Sequence, residues 1–319
     1  MQKLFIFIPT YNRPQALAAQ LSALLPQLQK YPHNVRVVVR DNNSSNYDIA
    51  DLANQFKSDS ISFERNFGNI GGNANIALGF VLSREDEFLW ILSDNDTVRA
   101  DCLEYLAQHL QSSVDFVVIN DQHRVPETIK WKWADGWVTP MAWRQGLISN
   151  ALFNTNTIRS SIDDAFFFHN SSFPHLAVAC SAAKKKGEVV FLHLPNSSVH
   201  EDPYSDRENP GDYSLSQVGM PQLIKLFPEK PARDFSLGWL HKNGWLFYKS
   251  REKYPEIFVS SRHLLVKSGG LPSYFYLAKA WVLFKSHEKL DKFIELARAK
   301  FPKGILALLK KMSGILGYR

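Results

Sequence analysis

The chain has 319 residues, 45% of them hydrophobic and 13% aromatic, which is enough to bury one large core with an appended section. Its net charge of +6 comes with only two cysteines, Cys102 and Cys180, so a disulfide framework is excluded and a reducing cytoplasm fits. No apolar stretch reaches the roughly eighteen residues that a bilayer span needs, and the longest, residues 274–284, contains Lys279.

Residues 3–8 (KLFIFI) read as a buried first strand, ended by the loop Pro9-Thr10-Tyr11-Asn12-Arg13-Pro14. Pro14 suits a first helical turn, and Leu17, Leu21, Leu24, Leu25 and Leu28 follow at helical spacing. Residues 35–39 make a second apolar run, closed by Arg40-Asp41-Asn42-Asn43-Ser44-Ser45 and followed by a helix carrying Ile49, Leu52, Ala53 and Phe56. A third strand at 61–63 leads into the glycine-rich loop 64–73, and a helix at 75–82 precedes a strand at 88–92 that stops in Asp94-Asn95-Asp96. Alternating strands and helices predict an α/β fold with a mostly parallel sheet, whose ligands bind beyond the carboxyl ends of the strands. The polar clusters fall at those ends. Two carboxylates one residue apart at a strand end can offer oxygen ligands to a hard divalent cation that also holds a diphosphate.

Pro9-Thr10-Tyr11-Asn12-Arg13, Asp41-Asn42-Asn43-Ser44, Arg65-Asn66-x-Gly68 with Gly71-Gly72-Asn73, and Asp94-x-Asp96 resemble the ordered motifs of family 2 glycosyltransferases of the GT-A fold. The resemblance is specific over residues 1–125 and weaker to about 205. It implies inverting transfer of a sugar from a nucleotide sugar, usually a UDP-sugar, with Mn²⁺ or Mg²⁺ at the acidic motif. Asp96 would be the direct metal ligand, with Asp94 reaching the ribose or the metal through water; Asn95 stands where family members often have a further acid. Asp41 would accept the uracil imide N–H, Tyr11 would stack, and Arg13 and Arg65 would hold the diphosphate. Pro9, Thr10, Asn66, Gly71 and Asn73 complete the expected nucleotide site.

The family's catalytic base is an Asp opening a helix about ten residues before a glycine. Here the corresponding helix, expected at 173–186 before Gly187, carries no acid, and the matching stretch is Pro174-His175-Leu176. An imidazole can take a proton from an acceptor hydroxyl at neutral pH, so His175 is the expected base, with His169 and then Asp163 and Asp164 as the alternatives. His200, beside Glu201 and Asp202, matches the place where many GT-A enzymes supply a histidine to the metal.

Residues 229–319 contain eighteen Lys and Arg against seven Asp and Glu, so the rest of the chain is net acidic. Ile305, Leu308, Leu309, Met312 and Ile315 recur at helical spacing among Lys300, Lys303, Lys310 and Lys311, a basic amphipathic pattern that seeks anionic headgroups or packs on the catalytic section. Nucleic acid is not expected, because the aromatics lie in apolar stripes. The start lacks the apolar stretch and cleavage site of a signal peptide. The expected organisation is a catalytic section over 1–219, with a lid at 201–213, and a basic helical extension over 220–319. The expected function is a metal-dependent glycosyltransferase acting on a glycan or lipid-linked acceptor in surface polysaccharide biosynthesis, peripheral at the inner face of the cell membrane. A catalytically inactive membrane-bound scaffold or glycan-binding subunit, and a sugar-nucleotide nucleotidyltransferase, are the alternatives.

Overall fold

The structure is a computed structural model that describes residues 2–120, 124–135, 148–171, 173–200 and 218–281. Its centre is an eight-stranded sheet in the order β3-β2-β1-β4-β7-β5-β8-β6. The first half is built from β1 (Lys3–Thr10), α1 (Pro14–Leu28), β2 (Val35–Asp41), α2 (Ile49–Gln55), β3 (Ile61–Arg65), α3 (Gly72–Leu82) and β4 (Glu87–Ile91). β1 pairs in parallel with β2 and β4, and β2 with β3. The second half adds α4 (Cys102–His109), β5 (Phe116–Asn120), β6 (Glu127–Lys132), β7 (Ala151–Asn154), α5 (Pro174–Lys186) and β8 (Glu188–Pro195). β6 and β7 run against the other six strands.

β1 explains why both faces need cover. Leu4, Ile6 and Ile8 enter one core with α1, α2 and α4, while Phe5 and Phe7 enter the other with α3 and α5. A strand buried on both faces reads as a continuous apolar run rather than an alternation. The expected strands and helices of the first half are present; α3 begins at Gly72, three residues before the periodic run, and the fourth strand occupies Glu87–Ile91. Gly187, at φ +80°, stops α5 in the left-handed conformation that glycine adopts without steric cost. At the amino edge of the sheet, Arg36 covers the Phe5 ring at 3.5 Å and pairs with the nearly buried Glu87 at 2.6 Å.

The later residues are helical. α6 (Glu229–Lys249), α7 (Pro255–Gly269) and a helix over 271–281 form a third apolar cluster, seated on Leu176 and Ala177 of α5. No helix among the described residues is long and apolar enough to cross a membrane. Cys102 and Cys180 are buried and unpaired, and burial pushes both thiols up. The lid expected at 201–213 and the basic pattern at 300–319 lie outside the described residues.

Candidate functional site

Parallel register brings Thr10, Asp41 and Arg65 side by side at the carboxyl ends of β1, β2 and β3. The next polar group comes from the turn after β4, where Asp94 accepts a hydrogen bond from Thr10 Oγ1 at 2.7 Å and another from Arg13 Nη1 at 3.2 Å. A cavity of about 260 Å³ opens here, lined among others by Tyr11, Arg13, Asn42, Gly72 and Asp94. Four loops separated by up to 84 positions therefore converge on one pocket.

Burial dominates the acid pair. Asp94 is raised by desolvation, against the Arg13 guanidinium and the Thr10 hydroxyl, which favour its charge. Asp96 is pushed up to about 6, first by burial and then by the charge of Asp94, while a hydrogen bond with the Ser149 side chain and the Arg13 charge pull the other way. Two neighbouring carboxylates served by one guanidinium hold more negative charge than their surroundings neutralise. Such a pair gains from a hard cation, and Asp96, which lacks Asp94's direct contacts to Thr10 and Arg13, is the carboxylate whose oxygens a cation would meet. The Asn95 side chain instead accepts from the Ser93 hydroxyl.

His200 does not join them. It is buried beside Trp90 at a ring distance of 6.0 Å, held in an isolated bridge to Val98. The Ser149 backbone lies near enough to favour the charged ring a little, but neither ring nitrogen makes a hydrogen bond. Burial pushes its pKa down to about 4. Among the described residues no three His, Cys, Asp or Glu side chains converge as a metal site, so the expected Asp94, Asp96 and His200 trio is not assembled.

Asp41 also differs from expectation. It is fully buried, with Oδ1 and Oδ2 receiving the Ser44 N–H at 3.2 and 3.1 Å, Oδ1 the Ser44 hydroxyl at 2.5 Å, and Oδ2 facing Arg65 Nε at 3.5 Å. An imide acceptor needs an oxygen turned to the cavity, and here both turn inward. The neighbouring Asn42 lines the cavity instead. Asn42 Oδ1 accepts from Asn66 Nδ2 and from the Ile70 N–H, both at 3.0 Å, and its amide donates to Asn69 at 2.8 Å. Asn66 is thus a strut rather than a ligand: it also donates to Asn75 and accepts from Arg40. Arg65 Nη2 donates to the Ser44 carbonyl at 2.6 Å, so it braces the same loop. Asn12 and Asn43 take φ of 57° and 62°, left-handed geometry that asparagine tolerates better than most residues. Gly71, at φ +86°, precedes α3 as its cap, where a side chain would strain the backbone.

Asn73 reaches the second half of the molecule, donating from Nδ2 to the His169 carbonyl at 2.8 Å. The exposed His169 ring places Nδ1 2.6 Å from the Phe166 carbonyl oxygen. A carbonyl only accepts, so the proton sits on Nδ1 and the lone pair on Nε2. His175, the expected base, is buried at 0% exposure beside Phe173, out of reach of an incoming hydroxyl. Reading the sequence did not single out Ser149 or Asn75. Both are buried amid site residues, and nothing in the spacing around position 149 marks it.

Residues 5–175 match the family model described as Glycosyl transferase family 2. Among solved structures, S. aureus TarS 1-349 superposes with a TM-score of 0.60 at 12% identity, covering 91% of this chain and 91% of that one. A longer S. aureus TarS chain gives 0.52 at 12% identity over 85% of this chain and 55% of that one. S. aureus TarS 1-349 in complex with UDP-GlcNAc gives 0.50 at 13% identity over 86% and 91%. The architecture they share is the GT-A fold. No curated protein sequence matches the chain.

Proposed function

Because this chain belongs to glycosyltransferase family 2, we propose that it transfers a sugar, with inversion, from a nucleotide sugar of the UDP class to a hydroxyl of a glycan or lipid-linked acceptor. The observation that carries this reading is Asp94, buried at the pocket mouth and held by Thr10 and Arg13, with Asp96 two residues on. Arg13 and the acid turn would hold the diphosphate of a donor, and Asn42, Asn75 and Gly72 line the rest of the cavity. Mn²⁺ or Mg²⁺ would be held by Asp96, with Asp94 behind it, and when bound would offset the negative charge of the departing nucleoside diphosphate. Asp41 supports the nucleoside end indirectly, fixing Ser44 and Arg65.

The base assignment passes from His175 to His169. Its Nε2 lone pair is exposed, and its backbone is tied to the first turn of α3, which borders the donor pocket. A positioned base accepts the acceptor hydroxyl's proton as the new glycosidic bond forms, typically worth about 10² to 10⁴ in rate. The basic excess after residue 229 supports peripheral contact with an anionic membrane surface.

A panel of nucleotide sugars and nucleoside diphosphates, scored by protection against thermal unfolding with and without Mn²⁺, tests the reading. UDP or a UDP-sugar should raise the melting temperature, and more so with metal. Protection by no nucleotide at all would overturn it.

A further inference from the structure

A cavity of about 350 Å³ lies between the 164–171 segment and the helical section, lined by Asp164, Phe167, Ser171, Gln222, Lys225 and Ser260 among others. It neighbours the donor pocket. Ser171 is two residues from His169, whose carbonyl is tied to Asn73, and Asn73 follows the pocket-lining Gly72. The cavity's groups suit a saccharide. A carboxylate, hydroxyls and an amide hydrogen-bond to sugar hydroxyls, and Phe167, 81% exposed, offers a ring face to a sugar's C–H surface. Gln222 is held in place by Nε2 bonds of 2.7 Å to the hydroxyls of both Ser260 and Ser261.

A second groove, about 740 Å³, continues from this cavity along α7 and shares Lys225 and Ser260 with it. Its wall is mostly apolar in area, with Pro255, Val259 and Leu264, and Glu256 and His263 also line it; Val259 is 65% exposed. Lys225 therefore stands where the polar cavity meets the apolar groove. The surrounding section, residues 218–281, carries ten Lys and Arg against four Asp and Glu, a net +6, and the cleft itself holds Lys225 at its middle with Asp164 and Glu256 on either side. Polar groups beside the donor pocket, a cation in the middle and a hydrocarbon wall beyond it match one ligand chemistry in order: sugar, phosphate, lipid chain.

We propose that this continuous cleft is the acceptor site and that the acceptor is a saccharide linked through phosphate to a lipid, with the sugar at 164–171, the phosphate at Lys225 and the hydrocarbon along α7. The proposal rests on the transferase reading above, because only a donor pocket next to it makes the cleft an acceptor site. It also gives the helical section a share in substrate selection.

The test uses the full chain and farnesyl phosphate as probe below its aggregation concentration, with inorganic phosphate and farnesol as separate arms, read by calorimetry. Farnesyl phosphate should bind at least about tenfold more tightly than either fragment, since it alone satisfies both Lys225 and the groove. Lys225→Ala and Val259→Asp should each weaken it about tenfold, with UDP binding and melting temperature unchanged. No measurable farnesyl phosphate binding by a protein that binds UDP would overturn the acceptor proposal alone. Equal farnesyl phosphate affinity in wild type and both variants would overturn it too, as non-specific apolar uptake. Loss of UDP binding in the wild type would instead strike the transferase reading.

Discussion

Replacing Asp96 by Asn should make the metal-free protein more stable while removing its response to metal. In the fold the carboxyl is pushed up to about 6 from an ordinary 3.8. At pH 7.5 it is ionised in both folded and unfolded chains, and ionising it in the folded one costs about 3 kcal/mol more. Its partial exposure lets solvent screen some of that, leaving about 2 kcal/mol. Asn keeps the shape and can still bond to Ser149, but carries no charge. At about 2 °C per kcal/mol for a chain of this size, the variant should melt roughly 4 °C higher in chelator. The pH dependence has a definite sign. Between about pH 4 and 6 the folded wild type holds a proton that the unfolded chain has released, so its stability falls as pH rises through that window. The Asn variant should lack that fall. Adding Mn²⁺ at about 100 times its dissociation constant should stabilise the wild type by about 2.7 kcal/mol and the variant hardly at all. Melting curves at several pH values, with chelator and with Mn²⁺, decide the matter. A variant no more stable than wild type at pH 7.5, with an equal gain from Mn²⁺, would refute both the strained carboxylate and its role toward metal.

Four further outcomes follow from the structure. His169→Ala should lower kcat by about 10² to 10⁴ with donor affinity unchanged. His175→Ala should instead cost stability through the cavity it leaves, with turnover retained in the folded fraction; steady-state assays paired with melting curves separate the two. His200, pushed down to about 4 by burial, is neutral in the fold. It contributes stability present above about pH 6.5 that is lost as pH falls through 4, about 3 kcal/mol in all, and His200→Phe should flatten that acid loss in urea titrations. Glu87→Ala, which strips the partner from Arg36 over Phe5, should cost about 3 kcal/mol of unfolding free energy by the same titrations; a loss below 1 kcal/mol would mean water reaches Arg36 freely.

The first half of the sheet was legible because its strands are short apolar runs closed by Pro, Asn, Asp and Gly, and its first helix shows clean leucine spacing. Burial on both faces makes such runs conspicuous, as in β1. The antiparallel strands were not. β7 is only four residues, Ala151–Asn154, too short for periodicity, and β6 has an exposed, charged alternation that reads equally as a loop. At the site, motif residues were legible as a set but not in their roles. A sequence does not show that Ser44 and Arg65 turn the Asp41 carboxylate inward, or that Asn66 spends its amide on Asn42, Asn75 and Arg40. The helix expected before Gly187 is present, but position 175 points into the packing between α5 and its neighbours, while the exposed imidazole of His169 comes from the preceding segment.

The central claim is that the pocket at Thr10, Arg13, Asp94 and Asp96 activates a nucleotide sugar. The most direct measurement is release of nucleoside diphosphate from a panel of nucleotide sugars in the presence of Mn²⁺, comparing wild type with Asp96→Ala of unchanged circular dichroism. Metal-dependent release from at least one UDP-sugar, reduced at least a hundredfold in the variant, is the expected result. Release from none of the panel, or equal release by both proteins, would contradict it.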